Sequence, residues 1–169
     1  MEPDKPSPES TKIPESAVIL EFLADLYPTS GLLPADPVLR AKARLFINHF
    51  DNKVLPSFLD YSFCRVQADT FIGALNTLQK MLPAETGFAT GDKWCIADMA
   101  VAPFLALWEM LLAHELGHYP PGDGKKTLAV LHGKQFARYN RYVVDLMAQP
   151  SFKANWDEVC LRPVSSYVD

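Results

Sequence analysis

A chain of 169 residues is long enough to bury one sizeable core. Hydrophobic residues make up 49% and charged residues 21%, the balance of a globular domain and not of a disordered polymer. The net charge of −4 argues against nucleic acid as a partner.

Residues 1–12 are Pro, Ser, Glu and Lys without an apolar run. They read as a disordered tail and not as a secretory signal. From Ile13 the composition changes. Pro14 suits the first turn of a helix, since it has no amide hydrogen to leave unpaired. Val18, Ile19, Phe22, Leu23 and Leu26 follow at helical spacing. Pro28, Ser30, Gly31 and Pro34 end that helix. Asp36-Pro37 is a second start, a capping carboxylate with proline at the first helical position. Val38, Ala41, Leu45, Phe46, Val54, Leu55, Phe58 and Leu59 then carry a long helix that Pro56 should bend or end. A further helix is predicted from about Cys64 to Leu82, with Phe71, Leu75, Leu78 and Leu82 on one face, then a loop over Pro83–Asp92.

Ile96–Leu112 is apolar almost all round, which places it at the centre of a bundle. Its start, Cys95-Ile96-Ala97-Asp98, has the spacing of a capping box. A thiol is a weak acceptor, so the Cys95 half is expected to be poorly made and Asp98 to carry the cap. Gly117 and Pro120-Pro121 stop the helix, and Gly122–Lys126 reads as a turn-rich loop. Leu131, Phe136, Tyr139, Val143 and Leu146 form another stripe. Pro150 breaks it, and Ser151 is expected to cap a last short helix with Phe152 and Trp156 inward. No alternating strand pattern competes. The predicted fold is all-α, a single bundle of about six helices. No uninterrupted apolar stretch reaches the roughly 18 residues of a membrane span, so no membrane is expected. Cys64, Cys95 and Cys160 are odd in number and widely spaced, which suggests neither a disulfide framework nor a Cys-rich zinc site and makes a reducing, cytoplasmic setting the expectation.

Two patterns carry a family resemblance. Ile13-Pro14-Glu15-Ser16-Ala17-Val18-Ile19-Leu20-Glu21-Phe22-Leu23 resembles the segment that ends the thioredoxin-like half of cytosolic glutathione transferases. Gly91-Asp92-Lys93-Trp94-Cys95-Ile96-Ala97-Asp98-Met99, with Val101-Ala102-Pro103-Phe104, looks like the start of the central helix of that family's C-terminal domain. Leu33-Pro34, Arg40-Ala41, Phe136-Ala137-Arg138-Tyr139 and Gln149-Pro150-Ser151-Phe152 fall in matching order, and Pro150–Glu158 is loosely omega-like or fungal. The resemblance covers about residues 13 to 160. It implies a boundary: 13–30 as the last helix of a thioredoxin-like domain, and 31–169 as the helical domain.

The resemblance also implies roles. Glu15 and Ser16 would bind the γ-glutamyl end of glutathione. The physics suits them, because free amides and the positive dipole end at a helix start favour a carboxylate, while Glu15 can pair with an ammonium group. Read from the residues alone, Pro14-Glu15-Ser16 is also simply a good helix start. Phe46, Phe50 and Trp108 are candidates for an apolar wall around a hydrophobic electrophile, or else plain core aromatics. Glutathione would be a co-substrate, with no cofactor or metal, and a homodimer is possible. The family's thiol-activating residue and cis-proline turn belong to a βαβ unit before this point. None of the three cysteines matches that position, so the activity of the chain alone is left open. A non-enzymatic protein-interaction module, as in translation elongation and synthetase assemblies, is the alternative. A truncated product without separate function is a third.

One motif points elsewhere. His114-Glu115-Leu116-Gly117-His118 matches H-E-x-x-H, in which two histidines one helical turn apart hold zinc and the Glu acts as base. A catalytic zinc wants a third protein ligand. The extended pattern would place Gly at Pro121 and His at Gly124, and no Glu occurs between Glu115 and Glu158. A zinc peptidase is therefore the remote alternative, and the motif also reads as the polar end of a buried helix. His49 and His132 read as ordinary bundle residues.

Overall fold

A computed structural model describes residues 10–85 and 87–157. Most of the predicted tail, together with Glu158 and Cys160, lies outside the described residues.

The first helix, α1, spans Ser16–Leu26, with Glu15 at its N-cap and Pro14 one residue outside. Asp36 caps α2, Pro37–His49, by accepting from the Val38 amide at 2.9 Å. The chain then winds through a π turn, Phe50–Val54, directly into α3, Leu55–Phe63. Pro56 was expected to bend or end this helix. The wider turn just before it instead absorbs the missing amide bond, and the rod continues. The π turn leaves Phe50 and Val54 wholly buried.

Next, α4 covers Asp69–Met81, starting later than the predicted Cys64. Cys64 instead closes α3, donating its amide to the Asp60 carbonyl. Arg65 then enters the left-handed region at φ 58°, which no helix can continue through. The central helix α5, Ile96–Ala113, buries ten of its residues. By length and composition it could cross a membrane. Here it is the axis of the bundle, packed on α1, on α2, on α6 (Asp123–Leu131) and on α7 (Ala137–Met147).

Two expectations are corrected at this end of the chain. Gly122–Lys126 is not a loop: Gly122, at φ 89°, is the N-cap and α6 begins at Asp123. The cap comes from far along the chain, since the Glu115 carboxylate accepts from the Gly122 and Lys125 amides, both at 2.6 Å. Ser151 does not cap the last helix, α8, Pro150–Asn155. Gln149 occupies the N-cap with Pro150 behind it, and Ser151 is already helical. Among the described residues there are eight α-helices and no named strand. With α2 and α3 fused, seven rods surround one core.

Trp108 is the hub of that core. Its ring stacks on Phe58 at 4.5 Å and on Phe50 at 5.4 Å, and meets Phe71 edge-on at 5.4 Å. Burying an aromatic of this size contributes about 1.5–3 kcal/mol each. By contrast α1 is tied down lightly. Only Ala24 is buried, and Glu21 holds Arg44 of α2 through a two-pronged ion pair at 2.8 and 2.9 Å. Val18, Phe22, Leu26 and Tyr27 remain 46–58% exposed along one side.

Candidate functional site

Glu15 is the most unusual backbone position near the start of the fold. It holds φ 71° and ψ 118°, a region that a non-glycine residue occupies only at a cost of about 1–3 kcal/mol. The first helical bond of α1 runs from the Ile19 amide to the Glu15 carbonyl, so the amides of Ser16, Ala17 and Val18 precede the intrahelical ladder. Among the described residues no side chain caps them, and no acidic residue stands in the first turn. Glu15 and Ser16 are both exposed. The corner therefore presents a positive helix end, a hydroxyl and a carboxylate to solvent together.

At the start of α5 the local chemistry is the reverse, wholly enclosed. Asp98 is buried and accepts three hydrogen bonds. One comes from the Ala89 amide at 2.8 Å, one from the Cys95 amide at 2.9 Å and one from the Tyr142 hydroxyl at 2.9 Å. It thus ties the loop after α4, the cap of α5 and the middle of α7 to one carboxylate. Burial pushes its pKa above the ordinary carboxylate range, against the pull of those donors. At the sulfur half of the box the Cys95 thiol faces the Asp98 amide, which bonds the Cys95 carbonyl at 3.1 Å, and the Thr90 hydroxyl donates to the sulfur at 3.5 Å.

Burial and the neighbouring Asp98 charge push the Cys95 thiol up to about 11. At neutral pH it is a protonated structural thiol, not a nucleophile. Cys64, in contrast, is exposed. Iodoacetamide at pH 8 is expected to modify Cys64 in the native protein and Cys95 only after unfolding, as read by peptide mass spectrometry. Equal native labelling of the two would show that the α5 cap opens readily.

Phe46, Phe50 and Trp108 are at most 2% exposed. Phe50 and Trp108 are enclosed by other rings, and Phe46 packs edge-on against Tyr142 at 5.9 Å while bordering a shallow groove beside Leu39 and Met81. An apolar cleft lies elsewhere, between the first half of α5 and α8. It has about 300 Å³ and is lined by Trp94, Met99, Ala102, Pro103, Phe152 and Trp156. The Phe152 and Trp156 rings stack at 5.3 Å to form one side. Trp156, expected to point inward from the last helix, is its C-cap residue and lines the cleft, whereas Trp94 escapes a periodicity argument because it sits just outside α5. Aromatic residues in otherwise polar loops were the available signal.

The H-E-x-x-H residues do not share a helix face. The helix ends at Ala113, His114 is its C-cap, and Glu115 turns left-handed at φ 58°. Glu115 is committed to the α6 amides, and His118 Nδ1 lies 3.3 Å from the Phe63 carbonyl. No three of His, Cys, Asp and Glu converge at metal-binding distance among the described residues. His49 lies against the Ala74 carbonyl and His132 against Glu109.

No protein-family profile matches the chain. Solved structures do. Glutathione transferase Omega 1C from Trametes versicolor superposes with a TM-score of 0.88 at 47% identity, over 94% of this chain and 66% of that one. Glutathione transferase Omega 2S from the same organism, in complex with 2,4-dihydroxybenzophenone, gives 0.85 at 46% identity, over 92% of this chain and 67% of that one. A helical bundle around a buried Asp98 cap, matched at this identity, is the C-terminal half of a glutathione transferase: the chain belongs to the cytosolic glutathione transferase family. Its similarity runs to the fungal omega-class members. Among curated proteins, the stringent starvation protein A homolog of Haemophilus ducreyi is 30% identical over 129 residues, 73% of this chain and 58% of that protein. The chain thus spans about three-fifths to two-thirds of the length of these relatives.

Proposed function

We propose that this chain supplies the helical half of an omega-like glutathione transferase acting in the cytoplasm. Glu15 and Ser16 hold the γ-glutamyl end of glutathione, and the Trp94–Trp156 cleft receives a hydrophobic electrophile. The backbone of Glu15 carries the reading. A strained N-cap residue that leaves three helix-start amides uncapped is costly for a plain helix start, and is useful where a carboxylate is to be gripped. Residues 13–30 are then the end of a thioredoxin-like domain and 31–169 the helical domain. The exposed side of α1 faces the remainder of that first domain. In the complete enzyme a glutathione thiolate attacks the electrophile or exchanges with a mixed disulfide, and binding positions the two reactants. Pairing of two copies, as in a homodimer, is part of this reading.

The test joins a thioredoxin-like unit from an omega-class relative ahead of Ile13. Ser16→Ala in that fusion is expected to weaken glutathione binding by about 0.5–3 kcal/mol, the range for a hydrogen bond to a charged or buried partner. Calorimetry showing undiminished affinity would reduce Ser16 to a helix starter. A second reading, a non-enzymatic interaction module, is favoured by one observation: the apolar side of α1, where Val18, Phe22 and Leu26 are available to another protein.

A further inference from the structure

Far along the sequence from both Glu15 and the apolar cleft, the turn between α5 and α6 and the loop between α3 and α4 enclose a cavity of about 500 Å³. It shares no lining residue with the α5–α8 cleft. We propose that it is a binding site for a small planar aryl carboxylate, held by the Arg65 guanidinium.

The cavity is held open by construction. Tyr119, whose ring forms one wall, is clamped between two glycines: an added Cβ would lie 2.2 Å from the ring at Gly117 and 2.7 Å from it at Gly124. Its hydroxyl donates to the Leu111 carbonyl at 2.9 Å, and its ring stacks on Tyr61 at 4.9 Å. Tyr61 in turn shares a 2.9 Å hydrogen bond with Thr127 of α6. None of these side chains can swing inward to fill the space without breaking a buried bond. The His118 amide donates to the Ser62 carbonyl, which fastens the far side of the loop to α3. The H-E-x-x-H segment is therefore the scaffold of a cavity wall: Glu115 caps α6 and His118 lines the space.

The charges define the ligand. Lys126 and Asp123 neutralise one another at 2.8 Å. Arg65 lines the same cavity from a left-handed backbone, and no hydrogen bond or ion pair engages its guanidinium among the described residues. Among the lining residues Arg65, which is exposed, is thus the cation without an acidic partner, while the Glu115 carboxylate behind the wall is taken up by the α6 amides. A guanidinium fork matches a carboxylate with two parallel bonds. Val66, Ala68, Pro120 and Pro121 supply apolar surface, and the rigid tyrosine wall suits a flat body. The volume falls within the range of small-molecule sites.

Titration of the 169-residue chain with 2-naphthoate, followed by amide NMR, tests the assignment. Shifts are expected at Gln67, Tyr119 and Thr127. The neutral 2-naphthamide is expected to bind about tenfold or more weakly, since it loses the charge-assisted pair. Arg65→Asn should weaken naphthoate to a similar degree. Asparagine tolerates the left-handed backbone, so the fold is spared. Three results would overturn the proposal: no saturable binding, shifts confined to Trp94 and Trp156, or equal affinity of wild type for acid and amide. The acid-against-amide comparison uses wild type alone and decides the matter even if Arg65→Asn does not fold.

Discussion

Replacing Asp98 with alanine is expected to destabilise the fold by about 3–5 kcal/mol, the largest loss for any single polar group here. The substitution deletes one carboxylate and strands three donors: the Ala89 and Cys95 amides and the Tyr142 hydroxyl. All three lie in the interior, where each unpaired group costs about 1–3 kcal/mol. The N-terminus of α5 also loses its negative partner. Asp98→Asn is expected to cost less, because its carbonyl can still serve the Ala89 and Tyr142 donors while its amide meets the Cys95 amide donor to donor. Urea unfolding of both variants beside wild type measures the difference. A loss under about 1 kcal/mol for alanine would mean that water or a shifted loop satisfies the three donors.

Trp108→Ala is expected to cost about 3–5 kcal/mol, because the cavity it leaves is walled by Phe50, Phe58 and Phe71 and cannot close. The substitution also separates two roles that the sequence left open. If Trp108 is the hub of the core, Trp108→Phe should lose part of that stability and leave the affinity for a hydrophobic ligand of the α5–α8 cleft unchanged in the fusion with a thioredoxin-like unit. Trp156→Ala should do the opposite. A Trp108→Phe variant with native stability and lost ligand affinity would restore this residue to the substrate wall.

These two residues show where sequence reasoning reaches and where it stops. The Cys95–Asp98 spacing located the start of the central helix to the residue, and the all-round apolarity of α5 marked it as central, since both signals are local. The same apolarity concealed which side of Trp108 mattered: a helix wrapped in apolar side chains has no polar face from which to orient the others. Helix α6 was missed for a different reason. Its start depends on the Glu115 carboxylate, held eight residues before the helix by a left-handed turn. Gly122 and Gly124 read as turn signals because nothing nearby announces that cap. Arg65 likewise gave no warning that it would end one helix and delay the next. The Glu15-Ser16 corner was named as a pair through the family resemblance, but its strained backbone was not, because nothing in the residue type of a glutamate announces a positive φ.

The π turn at Phe50–Val54 has a consequence for comparing this chain with others. A π turn takes up one extra residue in the winding; in an unbroken α-helix that residue would rotate everything after it by about 100° around the axis. Here the inward positions stay on one face, from Phe46 through Phe50 and Val54 to Phe58 and Tyr61. A relative lacking one residue here could run as an unbroken α-helix and still turn the counterparts of Phe58 and Tyr61 to the core. A gap placed in this stretch by sequence alignment thus keeps the inward face of α3, and a gap moved outside it would assign the wrong face to the residues in between.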